Sequence, residues 1–263
     1  MSAPRDTTGA GLHPTWTRVN GLRMYARVSK AAAPAARPAV VLVHGLGVSG
    51  TYMVPTAQRL AVDHAVYVPD LPGYGRSERP PHTPDVPQLA DALAAWVRAA
   101  GSPRATYLGN SLGCQTVIDF ALRHPDLIGR AVLVGPTGDP QALTLFQYIG
   151  RGLLDLVGEP FSLYRILVRD YWTLGPVRTL LTLRSALEDR LEAKLPQVQV
   201  PTLIVRGARD PIATQDWVER MRRGMPRAEV VVLPHAPHAA NYATPEALAD
   251  AVRRFLSGRP PAG

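Results

Sequence analysis

The chain has 263 residues, 46% of them hydrophobic and 19% charged, which is ordinary globular usage, enough for one sizeable core with an insertion, and excludes a disordered chain. Its formal charge of +8 comes almost wholly from arginine, since lysine occurs only at Lys30 and Lys194. The arginines are scattered, densest at Arg222-Arg223 and Arg253-Arg254, and are not interleaved with aromatics, so they read as a solvated surface and no nucleic-acid partner is expected.

Residues 1–14 are rich in Gly, Pro, Ala and Thr and are expected to form a loose tail without a secretory apolar segment. Trp16 to Val28, with Gly21 at a turn, predicts an antiparallel hairpin on a sheet edge. After the small-residue loop Lys30 to Pro38, the short apolar run Ala39 to Val43 reads as a buried parallel strand. The same pattern returns in AVYVP from Ala65, ATYLG from Ala105, RAVLVG from Arg130, TLIVRG from Thr202 and EVVVLP from Glu229. Between them, helical spacing marks Val86 to Ala100, Leu112 to Arg123, Asp216 to Met225 and Pro245 to Leu256. Alternation of this kind implies an α/β fold whose mostly parallel sheet is covered by helices on both faces.

One interval breaks the alternation. Residues 137–196 hold only amphipathic helical patterns, divided at Gly158 to Pro160 and at Gly175-Pro176 into about three or four short helices. This predicts a helical insertion between two halves of one core, 15–136 and 197–257, followed by a loose tail at 258–263. No run of eighteen apolar residues suggests a membrane span. Cys114 stands alone, so neither an intrachain disulfide nor a cysteine-built zinc site is possible. A reducing, cytoplasmic location is expected.

Chemistry concentrates at strand ends. Gly109-Asn110-Ser111-Leu112-Gly113 follows the strand ATYL and opens a helix, the context in which a serine is held exposed on a sharp turn that needs small neighbours. A serine hydroxyl is a weak nucleophile at neutral pH and needs a base, which itself needs an orienting acceptor. His238, in the loop after EVVVLP, is the expected base, preferred over His235 at the strand exit. Asp210, at the end of TLIVRGARDP, is the expected acid, preferred over Asp139 of GPTGDP. His44-Gly45-Leu46-Gly47 follows AVVLV, and the N–H groups of Leu46 and Leu112 are the expected oxyanion donors. His44 reads as architectural, holding this loop by hydrogen bonds.

With these pieces in the order serine, acid, histidine, the chain from about Trp16 to Leu256 resembles the α/β-hydrolase superfamily. Asp70 to Ser77, DLPGYGRS, is similar to a loop of that superfamily, and 137–196 corresponds to its cap. The resemblance implies an eight-stranded α/β-hydrolase sheet with a helical cap. It disfavours haloalkane dehalogenases and most epoxide hydrolases, which carry Asp where this chain has Ser111. The elbow is similar to that of carbon-carbon hydrolases of meta-cleavage products, with Asn110 as the shared detail. That group typically carries Trp soon after the histidine and Arg-Trp in the cap, where this chain has Tyr242 and Tyr171-Trp172. The expected function is therefore a carboxylesterase or lactonase acting on a small apolar ester without metal or organic cofactor. Tyr171, Trp172 and Tyr242 are the expected substrate contacts. The alternatives are carbon-carbon bond hydrolysis and a triad-bearing receptor with little turnover.

Overall fold

A computed structural model describes residues 11–29, 37–102, 104–142, 150 and 158–258. Eight strands form one sheet in the order β1-β2-β4-β3-β5-β6-β7-β8. They are β1 Leu12–Val19, β2 Leu22–Ser29, β3 Val40–Val43, β4 Val66–Pro69, β5 Ala105–Asn110, β6 Ile128–Val134, β7 Thr202–Gly207 and β8 Ala228–Leu233. The first two pair as an antiparallel edge hairpin and β2 runs antiparallel to β4, while every other neighbour is parallel. The strand pairing from Leu12 to Ser29 begins within the stretch expected as tail, because Leu12 buries its side chain in the core. Residues 1–10 of that tail, the loop at 30–36, and Phe146 and Tyr148 of the expected cap lie outside the described residues.

The central strands carry apolar side chains on both faces because both faces are covered. Along β3, Val41 and Val43 join one core with Tyr107, Leu133 and Ile204, while Val40 and Leu42 join the other with Leu108, Val132 and Leu203. The period of two thus sorts one strand into two layers. The first layer is closed by α2 (Val86–Ala99) and α3 (Leu112–Arg123), then by α7 (Gln215–Gly224). The second is closed by α1 (Val54–Leu60) and α9 (Pro245–Leu256). Helix α2 starts where Asp85 accepts the Gln88 N–H and the Gln88 side chain accepts the Asp85 N–H, with a proline in the first turn.

Between β6 and β7 the described residues hold helices α4 (Phe161–Leu174), α5 (Pro176–Glu188) and the short α6 (Leu191–Lys194). The break between α4 and α5 falls at Gly175, with φ +84°, followed by Pro176, as the Gly-Pro signal predicts. The helical pattern that runs on to Leu195 is cut at Asp189 and Arg190, where Lys194 turns back to pair with Asp189 and with Asp119 of α3. A further short helix, α8 (Ala240–Ala243), lies in the segment expected as a loop after His238. Among the described residues no helix is long and apolar enough to cross a membrane.

Candidate active site

Strand β5 ends at Asn110 and α3 begins at Leu112, so the whole reversal rests on Ser111, with φ 56° and ψ −122°. A non-glycine residue there costs about 1–3 kcal/mol. It persists because the Ser111 N–H is tied to the Val134 carbonyl at 3.0 Å and because the flanks carry no side chains. A Cβ on Gly109 would stand 2.3 Å from the Gly113 carbonyl oxygen, and one on Gly113 would stand 2.4 Å from that of Val43. Cys114 is buried beneath, its thiol facing the Gly109 and Val134 carbonyls at 3.3 Å. Burial pushes that thiol well up, which makes Cys114 a filler and not a nucleophile.

His238 and Asp210 meet over the same sheet edge, Nδ1 to Oδ2 at 2.9 Å, both buried. The other carboxylate oxygen of Asp210 accepts the N–H groups of Ile212 and Ala213 at 2.7 and 2.9 Å. The carboxylate is thereby fixed, and its free choice of rotamer is gone. Gly135 makes the close approach possible. At φ +54° it sits against the pair, and a Cβ there would lie 2.9 Å from His238 Nδ1 and 3.0 Å from Asp210 Oδ2. The rival Asp139 accepts from Arg220 and from the Gln141 N–H. His235 is exposed, with its Nδ1 3.5 Å from Arg209. The structure therefore pairs the preferred acid with the preferred histidine and leaves both rivals occupied elsewhere.

The glycine loop after β3 packs on Ser111, since a Cβ on Gly45 would be 3.1 Å from that of Ser111. His44 accepts the Leu71 N–H on Nε2 at 3.0 Å and faces the Gly45 carbonyl with Nδ1 at 3.1 Å. Accepting on Nε2 requires the neutral ring with its proton on Nδ1, and burial lowers the His44 pKa below the usual histidine value. His44 is architectural in this arrangement. The N–H of Leu112 is the first of α3 and has no intrahelical acceptor. Neither it nor the N–H of Leu46 finds an acceptor among the described residues.

Tyr52, a residue outside every motif, holds this arrangement together with Asn110 of the elbow and Asp70 of the DLPGYGRS loop. The Tyr52 hydroxyl accepts the Gly45 N–H at 2.8 Å and donates to Asn110 Oδ1 at 2.7 Å. Asn110 in turn donates to the carbonyls of Val134 and His238 at 3.0 and 3.1 Å. One buried chain thus joins the glycine loop, the elbow and the histidine loop. It also gives Asn110 a structural occupation that does not depend on the substrate. Asp70 of the DLPGYGRS loop accepts from Arg27, from the Gly50 N–H and from the Arg76 N–H, which pins the segment following the glycine loop.

The cap contributes two buried carboxylates. Asp170 of α4 accepts both the N–H and the hydroxyl of Ser49, at 2.8 and 2.6 Å. Glu159 accepts the N–H of Ala239, the residue after His238, at 2.7 Å. Of the expected substrate contacts, Tyr171 lays its ring over Gly47 and donates to the Leu46 carbonyl at 3.3 Å. Trp172, one residue or about 100° further round the helix, is 88% exposed and projects into solvent. Tyr242 is half-buried against the second core layer. The structure brings only Tyr171 to the glycine loop, because neighbouring residues on a helix cannot share one face. Among the described residues no group of three or more His, Cys, Asp or Glu side chains is arranged to hold a metal ion.

Residues 40–251 match the model of a family described as the alpha/beta hydrolase family. A candidate carbamate hydrolase, RutD, of Rhizobium rhizogenes is 27% identical, over 84% of this chain and 93% of that protein. A pimeloyl-(acyl-carrier protein) methyl ester esterase of Stenotrophomonas maltophilia is 27% identical, over 86% of this chain and 95% of that protein. Among solved structures, a membrane phospholipase A described as a bacterial virulence factor superposes with a TM-score of 0.79 at 24% identity, covering 95% of this chain and 87% of that one. That likeness shows a shared fold.

Proposed function

We propose, on the premise that this chain belongs to the alpha/beta hydrolase family, that it is a serine hydrolase cleaving a small apolar carboxylic ester or lactone. The observation that carries the reading is the buried 2.9 Å bond between His238 and Asp210 at the edge where Ser111 stands on its strained turn. An acceptor on Nδ1 holds the imidazole in the tautomer whose Nε2 lone pair is available as a base. His238 then takes the Ser111 proton as the oxygen attacks the ester carbonyl, and returns it to the leaving alcohol. Water, deprotonated by the same imidazole, releases the acyl group from Ser111.

The developing oxyanion lies between the Leu46 and Leu112 N–H groups. The second of these also lends the positive end of α3. Each donor of this kind is worth roughly 3 kcal/mol at the transition state. The ester-cleaving relative is consistent with this chemistry, and the carbamate relative with the same attack on a neighbouring acyl class. No observation favours carbon-carbon cleavage, since the Asn110 side chain is taken up by Tyr52, Val134 and His238. The test is turnover of p-nitrophenyl esters and labelling by a fluorophosphonate. Wild type should turn over the ester many times and be labelled once at Ser111, and Ser111→Ala should do neither. Unchanged turnover in Ser111→Ala removes the serine mechanism, and labelling without turnover turns the reading into a receptor.

A further inference from the structure

Of the ten large apolar side chains exposed among the described residues, seven lie between positions 161 and 181, on the two long cap helices. On α4, Phe161, Val168 and Trp172 are 91%, 70% and 88% exposed and, with Arg165, fall at spacings of three and four, one outward stripe. The opposite stripe, Leu163, Asp170 and Leu174, is buried. On α5, Val177, Leu180, Leu181 and Arg184 repeat the spacing, with Thr182 and Ala186 turned inward. A contiguous apolar area on the outside of a monomer marks an interaction surface.

The charges on this surface are predominantly positive. Between Phe161 and Leu187 stand Arg165, Arg169, Arg178 and Arg184, and the one carboxylate is Asp170, buried against Ser49 and paired with Arg169. The next, Glu188, comes at the end of α5 and pairs with Arg184. A second copy of this chain seated on the same face by two-fold symmetry would set mainly arginines against arginines, the one exposed carboxylate at its end, Glu188, being already paired with Arg184. An anionic bilayer supplies what the surface lacks. Its phosphates meet the guanidinium groups, and its headgroup boundary admits a tryptophan, a phenylalanine and aliphatic side chains to shallow depth. A cleft of about 700 Å³ between the loop Pro81 to Asp85 and α5 adjoins the face and shares Val177 and Leu181 with it.

We propose that the outer face of α4 and α5 docks this protein on anionic lipid surfaces, seating Phe161, Val168, Trp172 and Leu180 at the headgroup boundary. Docking is independent of the serine chemistry, so it is measured as binding. The full chain is mixed with vesicles of phosphatidylcholine containing phosphatidylglycerol, or of phosphatidylcholine alone, and the bound fraction is read by flotation. Binding to the anionic vesicles is expected to weaken at least about tenfold on neutral vesicles or in about 0.5 M salt. Val168→Glu with Leu180→Glu keeps good helix formers at exposed sites and is expected to weaken it at least about tenfold again. That double variant keeps its melting temperature and its turnover of a soluble short-chain ester. Ser111→Ala is expected to bind as wild type does, which separates this test from that of the hydrolase reading. Three results overturn the proposal: no partition onto anionic vesicles, equal partition by the double variant, or a dimer in light scattering that the double variant dissociates.

Discussion

Removing one oxygen atom from the Tyr52 side chain isolates what the buried hydrogen-bond chain contributes. Burial holds the Tyr52 phenol well above its usual pKa, so the hydroxyl keeps its proton and both bonds, from Gly45 at 2.8 Å and to Asn110 at 2.7 Å, are made at any working pH. In Tyr52→Phe the ring stays packed, but a backbone N–H and an amide oxygen are left buried without partners. Each orphan costs about 1–3 kcal/mol. A total of about 2–6 kcal/mol corresponds to a melting temperature lowered by roughly 4–24 °C for a domain of this size. Gly45 is the neighbour of Leu46, so release of its N–H also loosens the loop proposed to hold the oxyanion. The expected kinetic result is kcat down by about tenfold to a hundredfold with KM within about twofold, as befits a contact made in the transition state. Differential scanning fluorimetry and ester kinetics measure the two effects separately. A melting temperature within about 1 °C of wild type refutes the stability argument, and a lowered one with unchanged kcat refutes the link to catalysis.

Gly135→Ala places a methyl group where 2.9 Å separates it from His238 Nδ1. The backbone conformation alone costs about 1–2 kcal/mol, so a fall in kcat/KM of about a hundredfold or more, with slow fluorophosphonate labelling, identifies displacement of the base; wild-type labelling rates would exclude it. Asp210→Asn removes the acceptor that fixes the tautomer and is expected to lower kcat by about 10³- to 10⁴-fold, whereas Asp139→Asn loses the Arg220 pairing and lowers stability with kcat near wild type. The reverse pattern would transfer the acid's role to Asp139. Because burial depresses the His44 pKa from 6.5, the unfolded chain binds a proton near pH 6.5 that the folded protein refuses, so this site's contribution is full above that pH and declines as pH falls towards the folded pKa. Melting temperatures between pH 8 and pH 5 (each about) should fall less steeply in His44→Asn, and an identical slope would remove His44 from the acid sensitivity.

The parts of the molecule legible in the sequence are those encoded by neighbours in the chain. The run TLIVRG is bounded as strand β7 is, and Pro245 to Leu256 is bounded as α9 is, because apolar period and terminal Gly or Pro are local signals. That Ser111, Asp210 and His238 each follow the end of a strand is legible for the same reason. Tyr52, Glu159 and Asp170 carry no such mark. Tyr52 meets Asn110 across 58 positions, Asp170 meets Ser49 across 121, and Glu159 meets Ala239 across 80, and only the folded chain brings these partners together. A pocket reading of Trp172 rested on residue type in the cap, and type does not reveal which side of a helix faces inward.

Glu159 and Asp170 each reach a different loop of the candidate site. One grips the backbone beside His238 and the other the backbone two residues past Gly47. A cap transplanted from another member of the family, to change the substrate, brings its own inward-facing residues and loses both grips unless those two carboxylates travel with the recipient scaffold. Chimeras that retain them should keep turnover while exchanging preference. In this protein the two carboxylates that brace the candidate site stand in the cap, one on α4 and one just before it, so a cap exchanged as an interchangeable module has to carry them along.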